Sequence, residues 1–271
     1  MLRMVLRMVC ILLLPLWLLA QSEYVVENGK TIILETLETN PQPLKILNKT
    51  YIWVAHPKNP AKKISLISIP YRTKSISIPL ENRGILKIKE GDYKKEEIYA
   101  SPAKVKPNKE NQERIQREYK EAQGIYAVYS KARYWREPFI YPIKSKITSA
   151  YGNARVFNGE VSSYHSGTDF RAVIGTPIHA SNNGKVVLAK ERFLAGNSVV
   201  IDHGEGIFSM YYHCSVLKVK AGDRVKKGDL IALSGDSGRV SGPHLHFGFS
   251  VQEVQIDPLD FISQVNILFE D

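Results

Sequence analysis

Period-two alternation is the feature of this chain that most limits its fold. Almost every apolar run is short, rich in β-branched residues and closed by Gly, Pro or Asn, as expected of antiparallel strands that bury one face. Between Tyr24 and about Tyr99 such runs fall at 31–34, 51–54, 64–69, 75–78 and 84–88, a spacing that predicts a small β domain of the sandwich type. From Phe139 onward, the runs 176–180 and 185–189 flank Asn183-Gly184, a strong hairpin signal. A second hairpin is expected from 197–202 and 207–213, and a tight meander from 219–235. One stretch breaks the rule. Residues 108–133 begin at a capping Asn108 and set Ile115, Tyr119, Ala122, Tyr126 and Tyr129 three or four apart, which predicts a helix with one aromatic face. The expected fold class is therefore mainly β: a small β-sandwich-like domain at 21–100, a connecting α-helix within 101–137, and a C-terminal antiparallel β-sheet or sandwich domain at 138–271.

At the start, Arg3 and Arg7 lead into an apolar run that ends at Ala20, the layout of a secretory signal peptide over residues 1–20. The run is short for a membrane span. An uncleaved membrane anchor is the alternative, because Leu18 is bulky for its place before the cleavage point. Removal of the signal takes Cys10 with it and leaves Cys214 as the sole cysteine, so no internal disulfide is expected. The net charge of +10 is uneven. Residues 21–140 carry 22 basic and 14 acidic side chains, whereas residues 141–271 carry 13 of each. The basic front half predicts contact with an anionic membrane or wall surface. Nucleic acid is not expected as a partner, since no basic helix or interleaved basic and aromatic patch is present.

Chemistry concentrates in the neutral back half. On a strand, residues two apart share a face with Cα atoms about 6.6 Å apart, so His244 and His246 point to one spot. Leu245 and Phe247 then turn toward a core. Upstream, His165-Ser-Gly-Thr-Asp169 supplies a second pair of donors. Imidazoles and a carboxylate with an open fourth position make a catalytic zinc arrangement, while structural zinc sites are closed and rich in Cys. His213 ends an aromatic run, and Cys214 beside it should face the core as a small hydrophobe. Arg155 either pairs with a substrate carboxylate or braces the loop around Asn158-Gly159, with bracing favoured. Tyr164 is a groove candidate, His203 is read as a turn residue, and His56 as a solvent-exposed loop histidine.

Seven elements occur in order: Ile147-Thr-Ser-Ala-Tyr-Gly152 with Arg155, His165-Ser-Gly-Thr-Asp-Phe170, Gly175-Thr-Pro-Ile-His-Ala180, Asp202-His-Gly-Glu-Gly206, Tyr211-Tyr-His213, Gly222-Asp-Arg-Val-Lys-Lys-Gly228 and Gly242-Pro-His-Leu-His-Phe-Gly248. On these motifs the chain from about Pro142 to Phe261 resembles the M23 zinc metallopeptidases, the lysostaphin and LytM-like endopeptidases. The preceding region is similar, more loosely, to the N-terminal parts of Gram-negative members. The resemblance implies a LytM-like metallopeptidase domain at 138–271, one Zn2+ per chain held by His165, Asp169 and His246, and an unliganded catalytic pair, His213 and His244. It further implies an exported periplasmic endopeptidase that hydrolyses peptide cross-links between peptidoglycan stem peptides, D-Ala to meso-diaminopimelate, with carboxypeptidase action as a variant. The alternative is a catalytically inactive LytM-type regulator that binds peptidoglycan or activates another wall hydrolase. His179 and Cys214 depart mildly from the family pattern without removing a ligand. The 219–235 meander also resembles lipoyl and biotinyl carriers, but no lysine stands at a flanked hairpin tip.

Overall fold

A computed structural model describes residues 22–159 and 161–270, so the expected signal peptide lies outside the described residues. The chain is mainly β. Its first part comprises β1 (Glu23–Glu27), β2 (Thr31–Thr36), β3 (Leu44–Ile46), β4 (Lys49–Tyr51), β5 (Val54–Ala55), β6 (Lys63–Ser68), β7 (Ile76–Leu80) and β8 (Gly84–Lys89). Two three-stranded sheets, β1-β8-β7 and β2-β6-β5, and the β3-β4 hairpin close on a core that includes Leu34, Tyr51, Ile67 and Leu86. The run 51–54 is broken, because β4 ends at Tyr51 and β5 begins at Val54. β6 is buried along nearly its whole length. Ile67 faces that first core, while Ile64 and Leu66 enter the second one beside Trp135 and Phe139.

β9 (Lys95–Ile98), α1 (Pro102–Val105) and α2 (Lys109–Tyr126) follow. Asn108 caps α2 by accepting from the Asn111 N–H at 2.9 Å. The helix stops at Tyr126, short of the expected 133. The chain beyond it is drawn into the 203–205 turn, where Glu205 N–H donates to Ser130 O (2.7 Å) and Tyr134 N–H to His203 O (2.9 Å). Of the aromatic face, Ala122 and Tyr126 are buried against Leu188, Val200, Phe208 and Met210, whereas Tyr119 is exposed.

The rest of the chain holds β10 (Ile147–Ser149), β11 (Ala154–Phe157), β12 (Val161–Tyr164), β13 (Thr168–Arg171), β14 (Pro177–His179), β15 (Gly184–Arg192), β16 (Gly196–Gly204), β17 (Ile207–Leu217), β18 (Arg224–Val225), β19 (Leu230–Ser234), β20 (His244–Val251), β21 (Val254–Ile256) and α3 (Pro258–Ile267). The spine of the large sheet runs β10-β13-β20-β17-β16-β15-β18. The β16–β17 hairpin forms as the alternation predicts. The expected hairpin at Asn183-Gly184 does not: β14 pairs with β19, and β15 with β16 and β18. Asn183 instead links distant segments, its carbonyl 2.7 Å from His203 Nδ1 and its Oδ1 accepting from Lys227 N–H at 3.0 Å. The 219–235 meander is corrected for the same reason, since β18 and β19 pair with β15, β14 and β17 rather than with each other. No helix among the described residues is long and apolar enough to cross a membrane.

α3 docks on β2 through a half-buried acidic pair. Asp257 caps the helix, and Asp260 Oδ2 accepts from Thr31 N–H at 3.3 Å. Burial, with the nearby charge of Asp257, pushes the Asp260 carboxyl up from 3.8 to about 6. The folded chain thus holds this proton more tightly than the unfolded one. The stability it contributes is complete below pH 3.8 and is lost as pH rises through about 6. Asp260→Asn keeps an acceptor but not the charge. It should raise stability by about 1–2 kcal/mol at pH 7.5, below the full linkage value because the carboxyl is partly exposed and sits favourably at a helix N-terminus. Thermal melts check this: the gain should vanish near pH 4, and an equal gain at both pH values would exclude charge as its cause.

Candidate metal centre

Pairing of β13 with β20 sets Asp169 opposite His246, and the tight turn from β12 into β13 returns His165 to the same point. Gly167 makes that turn possible, because a Cβ there would lie 2.5 Å from Phe247 O and 2.6 Å from His246 Nε2. Leu245 and Phe247 are fully buried on the opposite face, as the alternation predicts. The result is a triangle of buried donor atoms. His165 Nε2 lies 2.9 Å from Asp169 Oδ1 and 3.0 Å from His246 Nδ1, and His246 Nδ1 lies 2.9 Å from Asp169 Oδ1.

Hydrogen bonding on the far side of His165 fixes what its near side offers. Nδ1 sits 2.8 Å from Ala150 O and 3.0 Å from Ser149 Oγ. A carbonyl only accepts, so Nδ1 carries the N–H and a neutral ring presents the Nε2 lone pair to the triangle. Burial pushes His246 down to about 4, which keeps that ring neutral. Burial alone would raise the Asp169 carboxyl, but the flanking His165 and His246 outweigh it and hold it well below the usual range. Lone pairs and an anionic oxygen this close repel one another unless a proton or a metal cation lies between them. Two imidazole nitrogens and one carboxylate oxygen are the donors zinc takes in open catalytic sites, so the residues fit such an ion.

A bridging network holds the carboxylate. Arg155 Nη2 donates to Asp169 Oδ2 at 2.5 Å and to Ser149 Oγ at 2.8 Å, and its Nε approaches Glu96 Oε2 at 3.4 Å. Glu96 arrives on β9, which pairs in parallel with β11, and also accepts from Ser149 Oγ and Asn153 Nδ2. Arg155 is therefore a brace, but of Asp169 rather than of the Asn158-Gly159 loop. That loop has its own tie, because the Asn158 amide bonds both backbone groups of Ala100.

His213 reaches the same face through a β-bulge. Between the pairs Val199–Tyr211 and Asn197–Cys214, β17 contains one residue more than β16, and His213 takes φ +64° there. Tyr211 and Cys214 both enter the core, while Tyr212 stacks on His246 at 5.3 Å and the His213 ring stands 4.8 Å from that of His244. His213 Nδ1 faces Ser237 O and His244 Nδ1 faces Gly242 O, each at 2.8 Å, so each neutral ring keeps a free lone pair on Nε2. Burial first, then the nearby His244 and His246, lowers His213 well below its ordinary value.

All five expected site residues, His165, Asp169, His213, His244 and His246, thus meet in one place. Others stand elsewhere. His203 is wholly buried between Asn183 O and Ser209 Oγ rather than free in a turn. His56 is not solvent-exposed: it accepts the Lys58 and Asn59 N–H groups and closes its own turn. Tyr164 stacks on Tyr71 at 4.1 Å, and His179 bonds Gly228 O away from the triangle. Ser149 and Tyr212 stand in the quoted motifs but were given no role there, and Glu96 was not singled out by sequence. Of these, Glu96 alone carried no local signal.

Residues 163–258 match the model of Peptidase family M23. Among curated relatives, peptidoglycan DD-endopeptidase ShyA of Vibrio cholerae is 48% identical over 88 residues, 32% of this chain and 20% of that protein. DD-carboxypeptidase/endopeptidase Mpg of Neisseria meningitidis is 31% identical over 123 residues, 45% of this chain and 28% of that protein. The aligned parts make up a fifth to about a third of the first relatives' lengths. The crystal structure of a candidate peptidase M23 from Pseudomonas aeruginosa superposes with a TM-score of 0.66 at 26% identity, covering 87% of this chain and 93% of that one.

Proposed function

Residues 163–258 belong to peptidase family M23, and on that premise we propose that the protein is an exported zinc metallo-endopeptidase acting on the peptide cross-links of peptidoglycan. The observation that carries this reading is the convergence of three buried donors, His165 Nε2, Asp169 Oδ1 and His246 Nδ1, at 2.9–3.0 Å from one another. Without a cation they would be a costly buried polar cluster. The DD-endopeptidase relatives support the substrate class, and the bond proposed is D-Ala to meso-diaminopimelate. Peptidoglycan as substrate fits a periplasmic or extracellular location, and export through residues 1–20 into the periplasm is the specific proposal. In this reading residues 138–271 are the peptidase domain, residues 21–100 a β domain and residues 101–137 its helical connector. The basic excess at 21–140 would favour an anionic wall or membrane surface.

When bound, zinc would supply Lewis acidity to the scissile carbonyl and acidify a water molecule. His213 and His244 do the rest. Each is fixed by its Nδ1–H on a backbone carbonyl, leaving Nε2 to take a proton from the attacking water or to steady charge on the carbonyl oxygen. Burial holds His213 well below its ordinary value, so its ring stands unprotonated with the Nε2 lone pair available.

Digestion of purified muropeptide dimers, with product masses read with and without chelator, tests the proposal. Monomers should appear and the chelator should abolish them, and metal analysis should find about one zinc per chain. A zinc-replete protein that leaves dimers intact would instead favour a non-enzymatic regulator.

A further inference from the structure

The metal centre is flanked on its sheet face by a second feature, a cavity of about 560 Å3 between α2, β21 and the 192–195 turn. It shares Tyr212 and Ser166 with the surroundings of the site, Tyr212 stacking on His246 and Ser166 following His165. The lining is largely apolar or aromatic, with one cation that stands out. Arg192 is only 6% exposed, and its guanidinium carbon lies 4.7 Å from the Tyr212 ring centroid. Its Nε approaches Ser198 Oγ at 3.4 Å, the Tyr212 hydroxyl accepts a hydrogen bond from it and Glu118 lends negative charge nearby, but among the described residues no carboxylate forms an ion pair with it. The two acidic side chains of the lining are engaged elsewhere. Glu118 accepts from Arg114 and from the Phe193 N–H, and Glu253 lies 3.6 Å from Lys49. Tyr126 and Tyr212, hydroxyl to hydroxyl at 3.0 Å, close the wall beside it.

A buried guanidinium whose direct partners are hydroxyls and an aromatic face still has room in its fork for a paired anion. Its planar fork matches a carboxylate in two parallel bonds. The cavity is large enough for a short peptide segment. We infer that Arg192 anchors a free carboxylate of the substrate peptide in this cavity, while another part of the same molecule lies at the metal centre. This deepens the peptidoglycan reading and rests on it, because stem peptides carry free carboxylates on residues close to their cross-links. An endopeptidase that grips such a group would discriminate cross-linked stems from ordinary polypeptide by charge as well as by stereochemistry.

The test uses the full chain and two probes, an acetylated stem tetrapeptide with free carboxylates and the same peptide with its carboxylates amidated. Calorimetric titration of both metal-free and zinc-loaded protein should show the acid bound at least about tenfold more tightly than the amide. In Arg192→Gln this preference should fall below twofold, and in Arg192→Lys it should survive in part. Should Arg192→Gln fail to fold, the wild-type and Arg192→Lys measurements decide. Equal affinities for acid and amide in the wild type, no binding of either, or an undiminished preference in Arg192→Gln would overturn the assignment. An acid preference that depends on Arg192, in a protein that leaves muropeptide dimers intact, would uphold the carboxylate site and sink the hydrolase reading alone.

Discussion

Replacing His246 by Ala is expected to remove zinc and activity together, whereas replacing His213 by Ala should leave one zinc per chain and slow turnover about a hundredfold or more. Under the proposed function the two residues are neighbours with different duties. His246 Nδ1 is one corner of the donor triangle, 2.9 Å from Asp169 Oδ1. His213 reaches the same face through its bulge, held by Ser237 O, and its ring centroid lies 6.0 Å from that of His246. Loss of a metal that supplies several kcal/mol of transition-state stabilisation corresponds to at least about a thousandfold in rate. Loss of one acid-base or oxyanion group is worth about 10²–10⁴. Metal analysis beside single-turnover cleavage separates the two, and loss of zinc from the His213 variant would refute this division of roles.

How far the sequence led depended on the range over which each signal acts. The donors were legible because their spacing is local: His244 and His246 two apart on a strand, His165 and Asp169 across a turn that needs Gly167. The β character and the start of α2 at Asn108 were legible for the same reason. Asn183-Gly184 misled because a turn signal records only local preference. β14 is three residues long and finds its partner in β19, while Asn183 binds segments around His203 and Lys227. Glu96 was illegible, since parallel pairing of β9 with β11 brings it to Ser149 from 53 residues away along the chain. The split into β domain, connector and peptidase domain is a reading of strand alternation, helical spacing and family resemblance. Across it, Ile64 and Leu66 share a core with Trp135, and Arg133 binds Glu205 at 2.8 Å.

Arg155→Gln should weaken zinc binding about 10- to 100-fold while leaving the reacting groups in place. Arg155 donates to the Asp169 oxygen that faces away from the triangle, Oδ2, and to the Ser149 hydroxyl beside His165 Nδ1. Partners of metal ligands typically contribute that much affinity by fixing ligand orientation. The metal-free variant should also lose stability, because a buried carboxylate deprived of its cation is strongly destabilising, by about 3–5 kcal/mol in general. Zinc would return part of that loss, as any ligand selective for the folded state does. Competition titration against a zinc indicator measures the affinity. Excess zinc should restore turnover in Arg155→Gln but not in the His213 variant, since Arg155 acts through Asp169 whereas in the proposed mechanism His213 acts on the substrate directly. If Arg155 served only the neighbouring Asn158-Gly159 loop, zinc affinity would be unchanged.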